Sequence, residues 1–180
     1  GRVVLPGDSD YDAVRALYNG MIDKRPRVIA RCVDVADVIT AVNFGRDRDL
    51  LIAVRGGGHN GPGLGSCDDG LMIDLSTMRG IHVDAEKRTA RVQGGATWGD
   101  VNRATQLHGL AVAGGLISTT GVAVLTLGGG IGWLMGKHGL SLDNLISVEL
   151  VTAEAKVLTA SAATNADLFW GLRGGGGNFG

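Results

Sequence analysis

Arg55, Gly56, Gly57, Gly58, His59, Asn60 and Gly61 stand in one unbroken run, with Pro62, Gly63 and Gly65 just beyond. Two kinds of chemistry suit these residue types. Peptide N–H groups in a glycine run can turn the same way and form a concavity for an anion such as phosphate. Glycine also lets the backbone come close to a ligand, and Arg55 can add a charge-assisted contact. A neutral imidazole at the rim is a nucleophile and a proton carrier. A single histidine is otherwise most often structural or on the surface, and the glycines around His59 favour the chemical reading. We read the run as a pyrophosphate cradle with a reactive imidazole at its lip.

A second stretch, residues 113–132 (AGGLISTTGVAVLTLGGGIG), concentrates small residues and hydroxyls. Ser118, Thr119 and Thr120 lead into Gly121, and Gly128, Gly129 and Gly132 close the stretch. Tight backbone packing and a wall against a flat ligand both explain it, and the density of glycine with hydroxyl side chains favours the wall. Gly56, Gly58 and Gly61 also satisfy the G-x-G-x-x-G spacing of a dinucleotide-binding turn, as do Gly175, Gly177 and Gly180. That fingerprint requires a helix opening inside the glycines, and Pro62, Gly63 and Gly65 forbid one after the first set. With 31 glycines in 180 residues the match carries no weight. His82, His108 and His138 read as ordinary, in a strand, at a helix C-terminus and before a glycine.

The elements that must position these residues follow from periodicity and punctuation. The apolar run 51–54 is a buried strand that feeds the glycine loop. Before it, residues 8–19 read as a helix with Tyr11, Val14, Leu17 and Tyr18 on one face. A strand over 28–32 follows, then a helix opened by Asp34 and closed by Gly45, with Val35, Val38, Ile39 and Val42 buried. The first third is thus a small α/β unit of mostly parallel strands, with its loop at a strand's carboxyl end, where open α/β sheets bind ligands. Strands over 71–75, 80–84 and 89–93 read as an antiparallel meander. A helix over 98–107 capped by Thr97, strands over 145–152 and 156–159, and a helix over 165–172 complete the chain.

Composition bounds the partners. A chain of 180 residues is long enough for a sizeable core. Its net charge of −1 and dispersed Lys and Arg argue against nucleic acid or an acidic membrane. No apolar stretch approaches the ~18 residues of a membrane span. No signal-peptide pattern is present, so a cytoplasmic location is expected, although Gly1 is not a natural start and leaves secretion open. Cys32 and Cys67 lack metal-type spacing and read as reduced thiols, and no metal site is expected.

The segments VRGGGHN, GLMIDLS, LGGGIGWLMGKHGLSLDN and ADLFWGLRGGGGNFG resemble the flavin domain of FAD-linked oxidases, the vanillyl-alcohol-oxidase or PCMH-type superfamily. Among its branches the chain is most similar to bacterial berberine-bridge-enzyme-like oxidoreductases, over nearly its whole length. The resemblance implies an α+β fold of two packed subdomains, about 1–65 with mostly parallel strands and about 66–180 with antiparallel ones, and FAD between them. It implies that the Arg55–Gly61 loop holds the pyrophosphate and that His59 is bonded to the flavin 8α-methyl. Thr119, Thr120, Gly121, Gly128, Gly129 and Gly132 are the further cofactor contacts expected.

Some relatives carry a second flavin link through a cysteine, and that position here is Ile117, so a single covalent bond is expected. Full-length relatives are more than twice as long, and their substrate sheet and tyrosine base would lie beyond Gly180. The leading reading is an FAD-dependent oxidoreductase acting on a small sugar, alcohol or amine-type substrate, with oxygen or another acceptor reoxidising the flavin. A flavin-binding module without turnover is the alternative, and a cofactor-free glycine-rich domain is the third. Residues 1–180 alone are expected to retain FAD weakly or not at all and to show some tendency to associate, because apolar surface stays open. Stoichiometric FAD in a monomeric preparation of these residues, read from the flavin absorbance, is the opposing result.

Overall fold

The computed structural model describes residues 1–180. Its first sheet runs in the order β1 (Arg2–Val4), β2 (Val28–Arg31), β4 (Leu71–Asp74), β3 (Ile52–Arg55). β1 is antiparallel to β2, whereas β4 lies parallel to both β2 and β3. β4 is central and covered on both faces, which its uninterrupted apolar run Leu71, Met72 and Ile73 requires. One face packs on Val4, Tyr11 and Val14. The other packs on α2 (Val35–Asp47) through Ala41, with Val35, Val38 and Val42 partly buried beside it. Asp34 caps α2, its side chain accepting from Asp37 N at 2.9 Å.

This arrangement corrects the expected meander. Residues 71–75 do not begin an antiparallel unit; β4 inserts between β2 and β3, so the first sheet continues past residue 65 to Asp74. A short apolar run specifies burial but not its neighbour's direction, and the 15 residues between β3 and β4 (56–70) give room for a parallel return. The antiparallel character expected of the second half holds for β5 (Ile81–Asp84) with β6 (Thr89–Val92), and for β7 (Ser147–Val151) with β8 (Val157–Ser161).

The first helix also differs. It spans only Tyr11–Arg15, because Ala16 turns to extended backbone. The Arg55 guanidinium accounts for that ending: it donates to the carbonyls of Val14 and Ala16, which a longer helix would have used. Tyr18 consequently leaves the helical face and stands 64% exposed.

The second half is built around α3 (Trp98–Gln106), where Thr97 and Asp100 form a capping box and Trp98 and Val101 are buried. α4 (Val122–Leu127) is a short helix inside the stretch that the sequence left without one. α5 (Met135–His138) and a 3-10 turn, Ser141–Asn144, lead to β7. α6 (Ala166–Gly175) packs Phe169 and Leu172 on Ala160 of β8. No helix is long and apolar enough to cross a membrane. Cys32 and Cys67 are buried, unpaired thiols, and burial pushes Cys32 up to about 11.

Asp74, wholly buried at the end of β4, ties this frame together. Its carboxylate accepts from Arg55 Nε at 3.0 Å, from Arg31 Nε at 3.2 Å, and from the amide and hydroxyl of Ser76, each at 3.0 Å. Burial pushes its pKa up, but the hydrogen bonds and positive charge of Arg55, with Ser76, outweigh burial and hold it below the usual carboxylate value. A carboxyl held low when folded stabilises the fold above its unfolded value of about 4, and that contribution is lost as pH falls through the folded value. Asp74→Ala should therefore cost about 3 kcal/mol at pH 7, since it strands a partly buried Arg55. Urea unfolding should show a smaller difference from wild type at pH 3 than at pH 7; an equal loss at both would contradict the charge pairing.

Candidate cofactor site

β3 ends at Arg55, and the chain passes into a loop without helix or strand. None of the peptide N–H groups of residues 56–61 donates to an acceptor within the chain. Six consecutive donors left open form the type of concavity that takes an anion. The loop is nevertheless pinned. Tyr18 N donates to Gly58 O at 3.1 Å, Asn60 Oδ1 accepts from Leu64 N at 2.9 Å, and Asn19 Nδ2 donates to Gly61 O at 3.3 Å.

Gly57 is the position in this loop that cannot carry a side chain. A Cβ there would collide with the backbone amide and α-carbon of Gly121, so the two glycine loops meet backbone to backbone. Gly58 adopts φ +73, a conformation that strains other residues. The Gly121 segment is fixed in turn by α3: Trp98 N donates to Thr120 O and Val122 N to Ala96 O, both at 3.0 Å, with an antiparallel bridge between Thr97 and Gly121.

His59 lies where these loops meet. Its Nε2 is 3.0 Å from Thr119 Oγ1, its Nδ1 is 3.3 Å from Thr120 Oγ1, and Tyr18 stacks on its ring face at 3.8 Å between centroids. Burial lowers its pKa below the ordinary imidazole value. The ring is thus held neutral at physiological pH, the state in which one nitrogen keeps a lone pair.

Beside it opens a cleft of about 160 Å³, lined among others by Tyr18, Arg55, Gly57, Ser76, Arg79 and Thr97. The charged contact to phosphate expected of Arg55 is not what its geometry offers. Its guanidinium is turned to Asp74, at 2.8 Å, and to the carbonyls of Val14 and Ala16. Arg79 is the other cation of the lining, and it pairs with Asp100 at 2.6 Å. Hydrogen bonds from Arg79 hold Asp100 down to about 2, with Thr97 assisting against burial.

The structure therefore brings together Arg55, Gly56, Gly57, Gly58, His59, Thr119, Thr120 and Gly121, with Asn60 and Gly61 continuing the same loop. Gly128, Gly129 and Gly132 lie at the other end of α4, against Val124, Leu142 and Gly114, and do not line the cleft. Tyr18, Ser76 and Arg79 were missed from the sequence. Tyr18 reads from the sequence as part of a helical core face, Ser76 closes the GLMIDLS segment without standing out from it, and Arg79 lies in a stretch with no motif of its own. The Gly94–Gly95–Ala96–Thr97 turn was the one available signal for that wall.

An α+β domain with an open row of peptide donors and a neutral histidine at the rim defines a nucleotide-cofactor-binding module. The chain matches the family described as FAD binding domain over residues 26–161, and it belongs to that family, the PCMH-type FAD-binding domains of FAD-linked oxidoreductases. It is 40% identical to (R)-6-hydroxynicotine oxidase of Paenarthrobacter nicotinovorans over all of this chain and 39% of that protein. BBE-like 1 of Physcomitrella patens superposes with a TM-score of 0.92 at 32% identity, over 99% of this chain and 40% of that one. Glucooligosaccharide oxidase from Acremonium strictum, which carries a 6-S-cysteinyl, 8α-N1-histidyl FAD, superposes with a TM-score of 0.91 at 34% identity, over 97% of this chain and 37% of its own. The chain thus spans about two fifths of the length of the curated relatives it matches.

Gly57 and Gly61 make a matched pair for testing the loop contact. A Cβ at Gly57 meets the Gly121 backbone, whereas one at Gly61 meets nothing within 4 Å. Gly57→Ala should destabilise by about 1–3 kcal/mol and weaken FAD binding, since overpacked backbone must shift. Gly61→Ala should leave urea unfolding close to wild type. Equal unfolding midpoints for the two variants would argue against a backbone contact.

Proposed function

We propose that the chain is the FAD-binding domain of an oxidoreductase that removes a hydride from a small organic substrate, with oxygen or another acceptor taking the electrons onward. The observation that carries the reading is the neutral imidazole of His59, fixed beside a row of unpaired peptide donors. The residues present fit the cofactor. The N–H groups of residues 56–61 suit a pyrophosphate, which needs several donors and little side-chain bulk. Thr119, Thr120 and Gly121 form the facing wall. Gly128, Gly129 and Gly132 support that wall from the far end of α4 rather than from the cleft. FAD, when bound, supplies the hydride-accepting ring, and the protein's share is binding, orientation and electrostatics.

Within that division, Asp74 neutralises Arg55 and keeps the loop in place, so donors rather than a mobile guanidinium meet the phosphates. Thr119 and Thr120 hold the His59 ring, and the lowered pKa favours its unprotonated form. His59 is the point of covalent attachment. Ile117, at the position of the second cysteinyl link in some relatives, offers no nucleophile, so attachment is through one residue. Cys67 is buried, its Sγ 3.7 Å from Leu51 O, at the opposite end of β3 from the glycine loop. Oxidation of a small amine, alcohol or sugar accords with the hydroxynicotine and glucooligosaccharide oxidases among the relatives.

In the full-length protein, flavin should remain with acid-precipitated wild type, and the tryptic peptide containing His59 should carry its mass. His59→Ala should release all flavin on precipitation, yet still bind FAD in the native state, because the glycine loops supply most of the contacts. Substrate oxidation should slow more than urea stability falls. Flavin that stays attached in His59→Ala would sink the assignment.

A further inference from the structure

We propose that Tyr18 is a positioning residue for His59: its ring and the hydroxyls of Thr119 and Thr120 form a three-sided clamp that presents the imidazole for bonding to the cofactor. The inference rests on the covalent reading above and adds how the nucleophile is aimed. A histidine side chain turns about two single bonds, and each turn moves its nitrogens away from a given target. Here both freedoms are blocked. Tyr18 covers one face, nearly parallel at 18°, while Thr119 holds Nε2 at 3.0 Å and Thr120 holds Nδ1 at 3.3 Å.

Hydroxyls are the group that such a clamp requires. A neutral imidazole has one N–H and one bare nitrogen, and a hydroxyl can either accept or donate. Both threonines are thus satisfied in either tautomer. For the bond to form, the threonine facing the bare nitrogen turns its oxygen aside by changing χ1, while the other threonine and Tyr18 keep the ring in place. A carboxylate in either place would raise the basicity of the ring and favour the imidazolium, which has no lone pair to offer.

Tyr18 is not part of the core, being 64% exposed, so its stack on His59 is not a by-product of burial. Its backbone is tied to the loop that it serves, through Tyr18 N to Gly58 O at 3.1 Å, one residue before His59. That placement has a traceable cause. Arg55 ends α1 at Arg15 by taking the next carbonyls, and the released chain carries Tyr18 across to the loop. The same guanidinium that anchors the loop thereby delivers the ring that holds His59.

The step that the clamp serves replaces one C–H bond of the flavin 8α-methyl with a bond to an imidazole nitrogen of His59. The methyl carbon and the imidazole each give up one proton. The two electrons left behind reduce the flavin ring, which takes up both protons, and molecular oxygen then reoxidises it. A ring aimed by three contacts reacts as an intramolecular neighbour rather than as a free side chain.

The test uses full-length apoprotein, FAD and four forms: wild type, Tyr18→Ala, Tyr18→Phe and His59→Ala. Total flavin bound is read before acid precipitation and linked flavin after it, over time. Tyr18→Ala should attach FAD on the order of tenfold more slowly per flavin bound, the scale expected from lost orientation. Tyr18→Phe keeps the ring and should restore the rate. Without FAD, the NMR signal of the His59 Cε1 proton should show an upfield ring-current shift in wild type and Tyr18→Phe, lost in Tyr18→Ala. Attachment in Tyr18→Ala at the wild-type rate overturns the clamp while leaving His59 as the link. Wild type that carries no flavin on His59 overturns the covalent reading and the clamp with it.

Discussion

The ion pair between Asp74 and Arg55 is the constraint on which the site depends. A carboxylate with no exposed surface is tolerated only when its lone pairs are occupied, and here two arginines and Ser76 occupy them. Because Asp74 ends β4 and Arg55 ends β3, the pair locks the carboxyl ends of two parallel strands in register. The glycine loop starts at the next residue. A slip of either strand would break the pair and displace the loop, so charge pairing in the sheet sets the position of peptide donors outside it. The remaining donors of Arg55 reach α1, which couples a third element to the same point.

The second half of the chain is brought to this frame by backbone rather than by side chains. Gly57 and Gly121 touch at a separation that admits no Cβ, and the strand-like hydrogen bonds of residues 96–99 with 118–122 hold Gly121 in place. α3 is essential to that arrangement because Trp98 and Val101 bury its inner face while Asp100 caps its start. The cleft is therefore bounded by elements from both halves, with neither half supplying it alone.

The electrostatics of the rim are quieter than the composition of the loop suggests. Arg55 and Arg79, the cations of the lining, are both paired with carboxylates. Open peptide dipoles are left to meet an anion, and a dipole row is more tolerant of an uncharged imidazole nearby than free guanidinium groups would be. Burial alone, with no charged neighbour contributing, lowers the His59 pKa. A nucleophile that stays neutral and a surface that attracts phosphate can thus share one loop.

The sequence by itself determined the family and the cofactor class, and it singled out His59 as the candidate link. Glycine runs, a proline that bars a helix and a lone imidazole at their end are local features, and local steric rules read them directly. It also placed most strands and helices, because their apolar periodicity is written within each segment. It could not say that residues 71–74 pair in parallel between two earlier strands, since burial patterns do not encode which partner covers a face. Nor could it show that Arg55 serves Asp74, that Tyr18 leaves its helix for His59, or that Gly128, Gly129 and Gly132 stand apart from the cleft. Those outcomes depend on groups between 19 and 61 residues apart in the chain meeting in space. Only the folded backbone fixes such distances, because each contact is the consequence of many packings satisfied at once.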